Sequence, residues 1–432
     1  MDAPRPGAPR VDALLLGPTD ARPPQPWLAV ALLFLVVSLI ESLSVGHLFT
    51  FLPLFLERDL HVASGDVASL TGHLIALTFV LGLPLVPFWG VWADRYSRKL
   101  VIVRSAWVEA VVLAVLASAG SIPQLVFGLL LSGFQMGNTG VMLSSLRQIT
   151  PVARVGLALS LVNLGSPVGH AIGPLFGGWL MERAGLGLRG LFAIDAALSV
   201  LAALLLIALL RDVRPTEVGP GDVFSAARDS LAAAASREAR RPLAALTIFL
   251  LAGSMVMPML ALAVERVHPA AVGLPAAVGL VVGGAAILGS LAAPIAGLAG
   301  DRFGHRPVLA LSLVIGAASI AAMATATSVA TLAWLAGGMA AGGAGVVTAV
   351  YAILALELPE SRRSAVLNLS FVPFYAGGLI GPNLAALVAR AAGLPWIFPV
   401  AGLIALAALT CVRAPRLSGS AKDRQGRPTA TV

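Results

Sequence analysis

GVWADRYSRK, residues 90 to 99, gathers one acid and three bases into ten positions of a chain that is only 12% charged. GLAGDRFGHR, residues 297 to 306, repeats its frame: Gly90, Asp94 and Arg95 return 207 positions later as Gly297, Asp301 and Arg302. Further matches follow at a shift of 208, where Pro151, Arg154, Gly169, Gly173 and Pro174 recur as Pro359, Arg362, Gly377, Gly381 and Pro382. Glu57 and Arg58 likewise pair with Glu265 and Arg266. Two registers that agree within one residue over most of each half mark an internal duplication.

The 432 residues are 58% hydrophobic, with mean hydropathy +0.91 and 45 glycines, more apolar surface than one water-soluble globule can bury. Runs such as PWLAVALLFLVVSLI (26 to 40) and LFAIDAALSVLAALLLIALL (191 to 210) approach or reach the ~20 residues that cross a ~30 Å hydrocarbon core. None alternates apolar and polar residues, so a transmembrane β-barrel is excluded. Residues 1–26 carry Arg5, Arg10 and Arg22 without a short apolar core and cleavage site, and read as a disordered tail and not a signal peptide. Cys411 is the only cysteine, so no disulfide forms within the chain.

The pattern predicts twelve spans near 27–55, 67–92, 100–118, 122–145, 156–181, 190–210, 243–263, 275–298, 308–325, 329–355, 365–389 and 394–412. With the N-terminus cytoplasmic, 24 of the 29 Lys and Arg fall on that side, four of them assigned to the loop after span 2; Arg58, Arg183, Arg189, Arg266 and Arg390 fall on the other. That asymmetry puts both termini in the cytoplasm, and it accounts for the net charge of +8 without a nucleic-acid patch. The domains expected are a tail (1–26), a six-helix bundle (27–210), a linker (211–241), a second six-helix bundle (242–412) and a C-terminal tail (413–432). In the linker, Phe224, Ala227, Leu231 and Ala235 at helical spacing suggest an amphipathic helix on the inner surface; a solvated linker is the alternative. Parallel halves of this kind leave a substrate site between them at mid-membrane.

On these residues the chain resembles the major facilitator superfamily. GVWADRYSRK is similar to that family's loop 2–3 signature, and GLAGDRFGHR to a weaker second copy with His305 in place of a base. GHAIGPLFGG, residues 169 to 178, resembles the fifth-helix signature of the family's proton-coupled export branch, commonly antiporters of drugs. The resemblance covers roughly residues 27–412. It implies an all-α membrane protein with the major facilitator fold, twelve transmembrane helices in two pseudo-symmetric six-helix bundles.

The resemblance and the residue chemistry together give candidate roles. Asp94 and Asp301 end spans 2 and 8 where the amino ends of spans 11 and 5 should emerge, so each carboxylate can meet free backbone amides and a helix dipole, a contact worth about 0.3–2 kcal/mol. Gly90, Arg95, Arg98, Lys99, Gly297, Arg302 and Arg306 complete this cytoplasmic gate, which in the family holds the inside closed; a plain polar turn is the alternative. On span 5, Gly165, Gly169, Gly173 and Gly177 fall every four residues on one stripe fit for close helix contact, Gly178 completes the signature, and Pro174 bends the helix. The family associates that bend with limiting leak during exchange.

Acids at membrane depth cost ~2.5–3.5 kcal/mol on insertion scales and need a reason. Glu41, about 21 Å along span 1 from Trp27, is expected to hold a proton or a cationic substrate in turn, with Glu109 and Asp195 as further coupling candidates. Gln135 and Asn138 are candidate cavity donors and acceptors, with tight helix packing as the alternative, and His47 and His73 could approach each other in the outer thirds of spans 1 and 2, a merely packed pair being the plainer reading. The arginine usual on span 4 of the family's export members is replaced by Ser132, three residues before Gln135.

The only lysines, Lys99 and Lys422, sit in no phosphate-binding loop, so the energy source is a gradient, or ATP hydrolysed on another polypeptide. No His-Glu-x-x-His or Gly-x-Ser-x-Gly is present to suggest an enzyme. The expected function is proton-coupled efflux of amphipathic small molecules by alternating access, with no cofactor, no metal, no nucleic-acid partner and a monomer among membrane lipids. Uptake or facilitated diffusion of a small solute, or lipid movement, is the alternative.

Overall fold

Apolar residues surround most of these helices on every side, which suits a helix with protein on one face and lipid on the other. A computed structural model describes residues 25–212, 236, 238–270, 272–358, 366 and 372–412, the side chains of 86, 87, 90, 91 and 94 excepted. Among the described residues, twelve helices are long and apolar enough to cross a membrane. They are α1 (Trp27–Arg58), α2 (Ser64–Arg95), α3 (Arg98–Ala117), α4 (Ile122–Ile149), α5 (Val152–Arg183) and α6 (Leu188–Leu209), then α7 (Arg240–Val267), α8 (Leu274–Phe303), α9 (His305–Thr325), α10 (Val329–Glu357), α11 (Val372–Ala392) and α12 (Leu394–Cys411). The protein is an integral, multi-pass membrane protein. Both tails, most of the linker with its suggested amphipathic helix, and the expected first turns of span 11 lie outside the described residues.

The duplication is visible in the packing. In the first half α1 packs on α5 and α3 on α6; in the second α7 packs on α11 and α9 on α12. Between the halves, α5 meets α8 and α2 meets α11. The correspondence reaches single atoms. A methyl group on Gly173 would lie 2.8 Å from the Leu43 carbonyl, and one on Gly381 would lie 2.5 Å from that of Leu251, each partner displaced by the same 208 residues. Across the halves, Gly279 abuts the Pro174 carbonyl and Gly72 abuts that of Pro382, closely enough to leave no room for a side chain.

Twelve crossings bring Gln25 and Val412 to one face, here the terminal face, opposite the distal face. The close contacts between halves cluster toward the distal face. Arg58 pairs with Glu265 at 3.6 Å, Glu182 Oε2 accepts from the Gly273 amide at 3.0 Å, and His73 Nδ1 donates to Asn383 Oδ1 at 2.7 Å. Gly178 against Pro275 closes the same rim. Deeper in, the Phe79 ring bridges the halves, with centroids 5.9 Å from Phe374 and 6.2 Å from Tyr375.

Among the described residues, the halves stand apart toward the terminal face. The Asp301 side chain is 76% exposed and, among the described residues, pairs with His305 of its own half, at 3.7 Å. Val152, at the amino end of α5, is 93% exposed. The expected contact between Asp301 and α5 is therefore not found among the described residues: both the carboxylate and the first residue of α5 stand exposed at this face. The matching side chain of Asp94, and that of Gly90, lie outside the described residues. Lys99, Arg306 and Arg302 make contacts within their own halves. Lys99 Nζ donates to the Ile207 carbonyl at 2.7 Å, Arg306 grips Glu357 through two bonds of 2.6 and 3.0 Å, and Arg302 lies over the Phe303 ring. Arg98 is buried at the start of α3, Arg95 is exposed at the end of α2, and a methyl group on Gly297 would lie 3.8 Å from Thr348 Cγ2.

Candidate functional site

The fourth span is not one continuous helix. After Ile122–Leu131 the chain tightens into a 3₁₀ turn over Ser132–Phe134, and Gly137 then takes a left-handed φ of 93° before the helix resumes at Asn138. Glycine is the residue that adopts this conformation without strain. The interruption frees carbonyl groups on one side, which find partners on α3, and amide groups on the other, where a half-helix begins.

On the carbonyl side, Arg104 Nη2 donates to the Met136 carbonyl at 3.1 Å, while its guanidinium lies 3.4 Å above the centre of the Trp89 ring. Ser105 Oγ reaches the Gln135 carbonyl at 2.5 Å. The base count had placed Arg104 in the loop after span 2. It belongs instead to α3, ~9 Å beyond Arg98, held by the ring and by the carbonyl that the break exposes.

On the amide side sits Glu41. Its Oε1 accepts from the Asn138 side-chain amide and lies 3.3 Å from Ser105 Oγ, whose single proton serves either Glu41 or the Gln135 carbonyl. Asn138 opens the resumed helix, so the carboxylate stands at the positive end of a half-helix near the middle of the membrane. Arg104 and, from the second half, Tyr375 are within electrostatic reach of it. Phe49, ~12 Å further along α1 than Glu41, packs at 6.2 Å from Phe79 and adds a fourth ring to this aromatic group.

A second acidic cluster lies deeper in the first half. Glu109 is 1% exposed, with neither carboxylate oxygen hydrogen-bonded among the described residues; Ser199 and the Gln135 side chain are its polar neighbours, and Glu41 and Asp195 both act on its charge. Asp195, fully buried, contacts His47 Nδ1 through Oδ2 at 2.8 Å, and His47 Nε2 donates to the Gly173 carbonyl at 2.8 Å. His47 and His73 therefore do not meet: one turns to α5 and α6, the other crosses to α11.

The glycine stripe of α5 lies flat on α1. A methyl group on Gly165 or Gly169 would meet the Leu35 or Leu39 carbonyl at 2.8 or 2.6 Å, and one on Gly177 would meet the His47 ring at 2.6 Å. Pro174, the next residue after the carbonyl that His47 holds, offers its own carbonyl to Gly279 of the other half. Ser132 caps its own turn, its Oγ donating to the Leu129 carbonyl at 2.6 Å. The basic group beside span 4 is thus Arg104, carried by α3.

The site brings together Glu41, Asn138 and the backbone of Gln135, sets Glu109 between Glu41 and Asp195, and joins Asp195 to His47. Sequence reasoning missed Arg104, Trp89 and the break at Gly137. The available signals were an arginine seven residues into an apolar helix, and a Gly-x-x-x-Gly stretch (133–137) rich in polar neighbours.

The family model of the Major Facilitator Superfamily matches residues 33–268 and 243–430. The multi-drug resistance efflux pump PmrA of Streptococcus pneumoniae is 25% identical over 82% of this chain and 88% of its own length. The multidrug resistance protein MdtG of Serratia proteamaculans is 29% identical over 82% and 86% respectively. Among solved structures, the nucleoside transporter NupG superposes with a TM-score of 0.72 at 15% identity, covering 89% of this chain and 99% of that one. A bacterial homologue of the human lysosomal transporter Spinster, inward-facing and unoccupied, gives 0.69 at 16% identity over 89% and 94%.

Proposed function

Because the chain belongs to the major facilitator superfamily, we propose that it exports amphipathic small molecules, cations among them, in exchange for protons by alternating access. It moves its substrate unchanged, draws on the proton gradient with no other cofactor, and works as a monomer in a bacterial plasma membrane with its terminal face in the cytoplasm. The excess of Lys and Arg toward the terminal face supports that orientation even without Arg104. The separation of the halves at the same face supports entry of substrate from the cytoplasm.

One observation carries the reading: Glu41 stands at the start of the resumed half of α4, facing the other half of the protein, with donors from Asn138 and Ser105. A carboxylate so placed binds a proton or an organic cation, not both, because each neutralises the charge that attracts the other. Phe79, Phe374 and Tyr375, with Phe49 beyond them toward the distal face, supply ring faces suited to the apolar body of such a cation. Relatives named as multidrug efflux pumps point to the same substrate class.

The test is purified protein in proteoliposomes with an imposed pH gradient, challenged with a panel of amphipathic cations, anions and neutral compounds while internal pH is read. Proton movement on addition of cations, with the compound recovered unchanged, is the expected result. Solute flux without proton movement would favour facilitated diffusion, and a chemically altered compound would mean an enzyme.

A further inference from the structure

Building on the proton-coupled reading above, we infer that His47 and Asp195 form a second proton site, separate from Glu41, whose proton holds the distal side shut. Both ring nitrogens of His47 lie 2.8 Å from oxygen atoms, Asp195 Oδ2 and the Gly173 carbonyl, and both residues are buried, at 2% and 0% exposure. The carbonyl can only accept, so Nε2 must carry a hydrogen. The bond to Asp195 then needs one more proton, shared between Nδ1 and Oδ2, as imidazolium with carboxylate or imidazole with carboxylic acid. Remove that proton and one of the two contacts becomes lone pair against lone pair. The pair therefore cannot lose its proton and keep both bonds.

Those bonds lead to the interface between halves. The Gly173 carbonyl ties α1 to α5, and the adjacent Pro174 carbonyl seats Gly279 of α8; one turn further along, Gly178 meets Pro275. Releasing the bond to Gly173 frees the part of α5 that closes the distal rim. The sign suits exchange: a proton arriving from the distal side closes that side and returns the carrier to its terminal-open form.

Packing alone does not call for the pair. At the position 208 residues on from His47 stands Met255, fully buried, beside Gly381 packed on Leu251 in the same manner as Gly173 on Leu43. The second half makes this helix contact with an apolar side chain. The charged and titratable groups around the pair are Glu109 on α3, which acts on Asp195, and His170 on α5, bonded to the Ser166 carbonyl at 2.9 Å. Glu41 lies six residues back along α1.

Spin labels at Ala184→Cys and Ala270→Cys, exposed distal positions in opposite halves, report the distal gap in a Cys411→Ser background in lipid nanodiscs. Double electron–electron resonance is recorded from about pH 5 to about pH 9, a window that brackets the physiological range on both sides. The unaltered pair should show a longer-distance population that grows as pH rises. Asp195→Asn, whose amide can donate to Nδ1 without titrating, should lose that population at every pH. His47→Gln, which can still donate to Gly173, should lose the pH response as well, while Glu41→Gln should keep it. An unchanged response in both pair variants, or no response in the parent, overturns the inference. A response abolished by Glu41→Gln overturns it too, yet leaves the proposed exchange standing; absent proton exchange in liposomes with an intact pair response would remove the proposed exchange instead.

Discussion

Gly279→Ala places one methyl group at the seam on which the proposed alternating access would turn. In the distal-closed arrangement that methyl would lie well under 3.0 Å from the Pro174 carbonyl oxygen, and 3.0 Å from its carbon, against backbone that cannot rotate away. Restoring ordinary contact requires roughly an ångström of separation. Within one half, such overpacking costs about 1–3 kcal/mol and is absorbed as strain. Between halves, the cost falls on the closed arrangement alone, because in the open one these helices part. A differential of about 1–3 kcal/mol multiplies the ratio of distal-open to distal-closed molecules by about 5- to 150-fold. Gly72→Ala, against Pro382, should act likewise, being its two-fold counterpart. Gly284→Ala lies on the same helix with nothing within 4 Å of the added carbon and is the control. The label pair at Ala184 and Ala270 reads the populations directly. Distance distributions identical for parent, Gly279→Ala and Gly284→Ala would refute the reasoning.

Gly137→Ala should destabilise the protein by about 1–2 kcal/mol through its left-handed backbone, with Trp89 Cδ1 only 3.0 Å from the added methyl; Gly140→Ala, on the same span with open space around it, should stabilise by up to ~1 kcal/mol. Melting curves in detergent separate the two, and curves displaced in the same direction would contradict the break at Gly137. Asp59, beside the distal end of α1, has its carboxyl lifted above the usual range by burial, against the pull of Arg189, His61 and Arg58. Between its ordinary and its raised value the folded protein keeps a proton that the unfolded chain has lost, so this residue's contribution falls as pH climbs through that window. Asp59→Asn should flatten that fall, which melting temperatures taken across mildly acidic pH will show.

Much of this architecture is legible in the sequence because lipid leaves few options. Length and hydropathy locate the spans, and the 207/208 repeat relates the halves. The Gly165, Gly169, Gly173 and Gly177 stripe announces close helix contact, which α1 provides. Glu41 and Asn138 could each be singled out as polar groups in apolar helices, but their meeting depends on the break at Gly137, and one glycine among 45 gives no local sign of a left-handed turn. Arg104 was hidden because an arginine near a helix start is ordinarily a surface anchor; only the Trp89 ring and the freed Met136 carbonyl make a place for it inside. Asp195 and His47 are 148 residues apart, and nothing local joins them. Asp301 illustrates a different limit: the repeated Gly-x-x-x-Asp-Arg frame marks it beside a helix end, but nothing local in the sequence says that its side chain stands exposed beside His305.

The most direct test of the central claim is proton release on substrate binding. Purified protein in weakly buffered detergent solution is mixed with tetraphenylphosphonium, and free proton concentration and bound cation are measured together. If Glu41 holds a proton or a cation in turn, binding should release about one proton per cation, and Glu41→Gln should release none. Binding without release in the parent, or undiminished release in Glu41→Gln, would contradict the account.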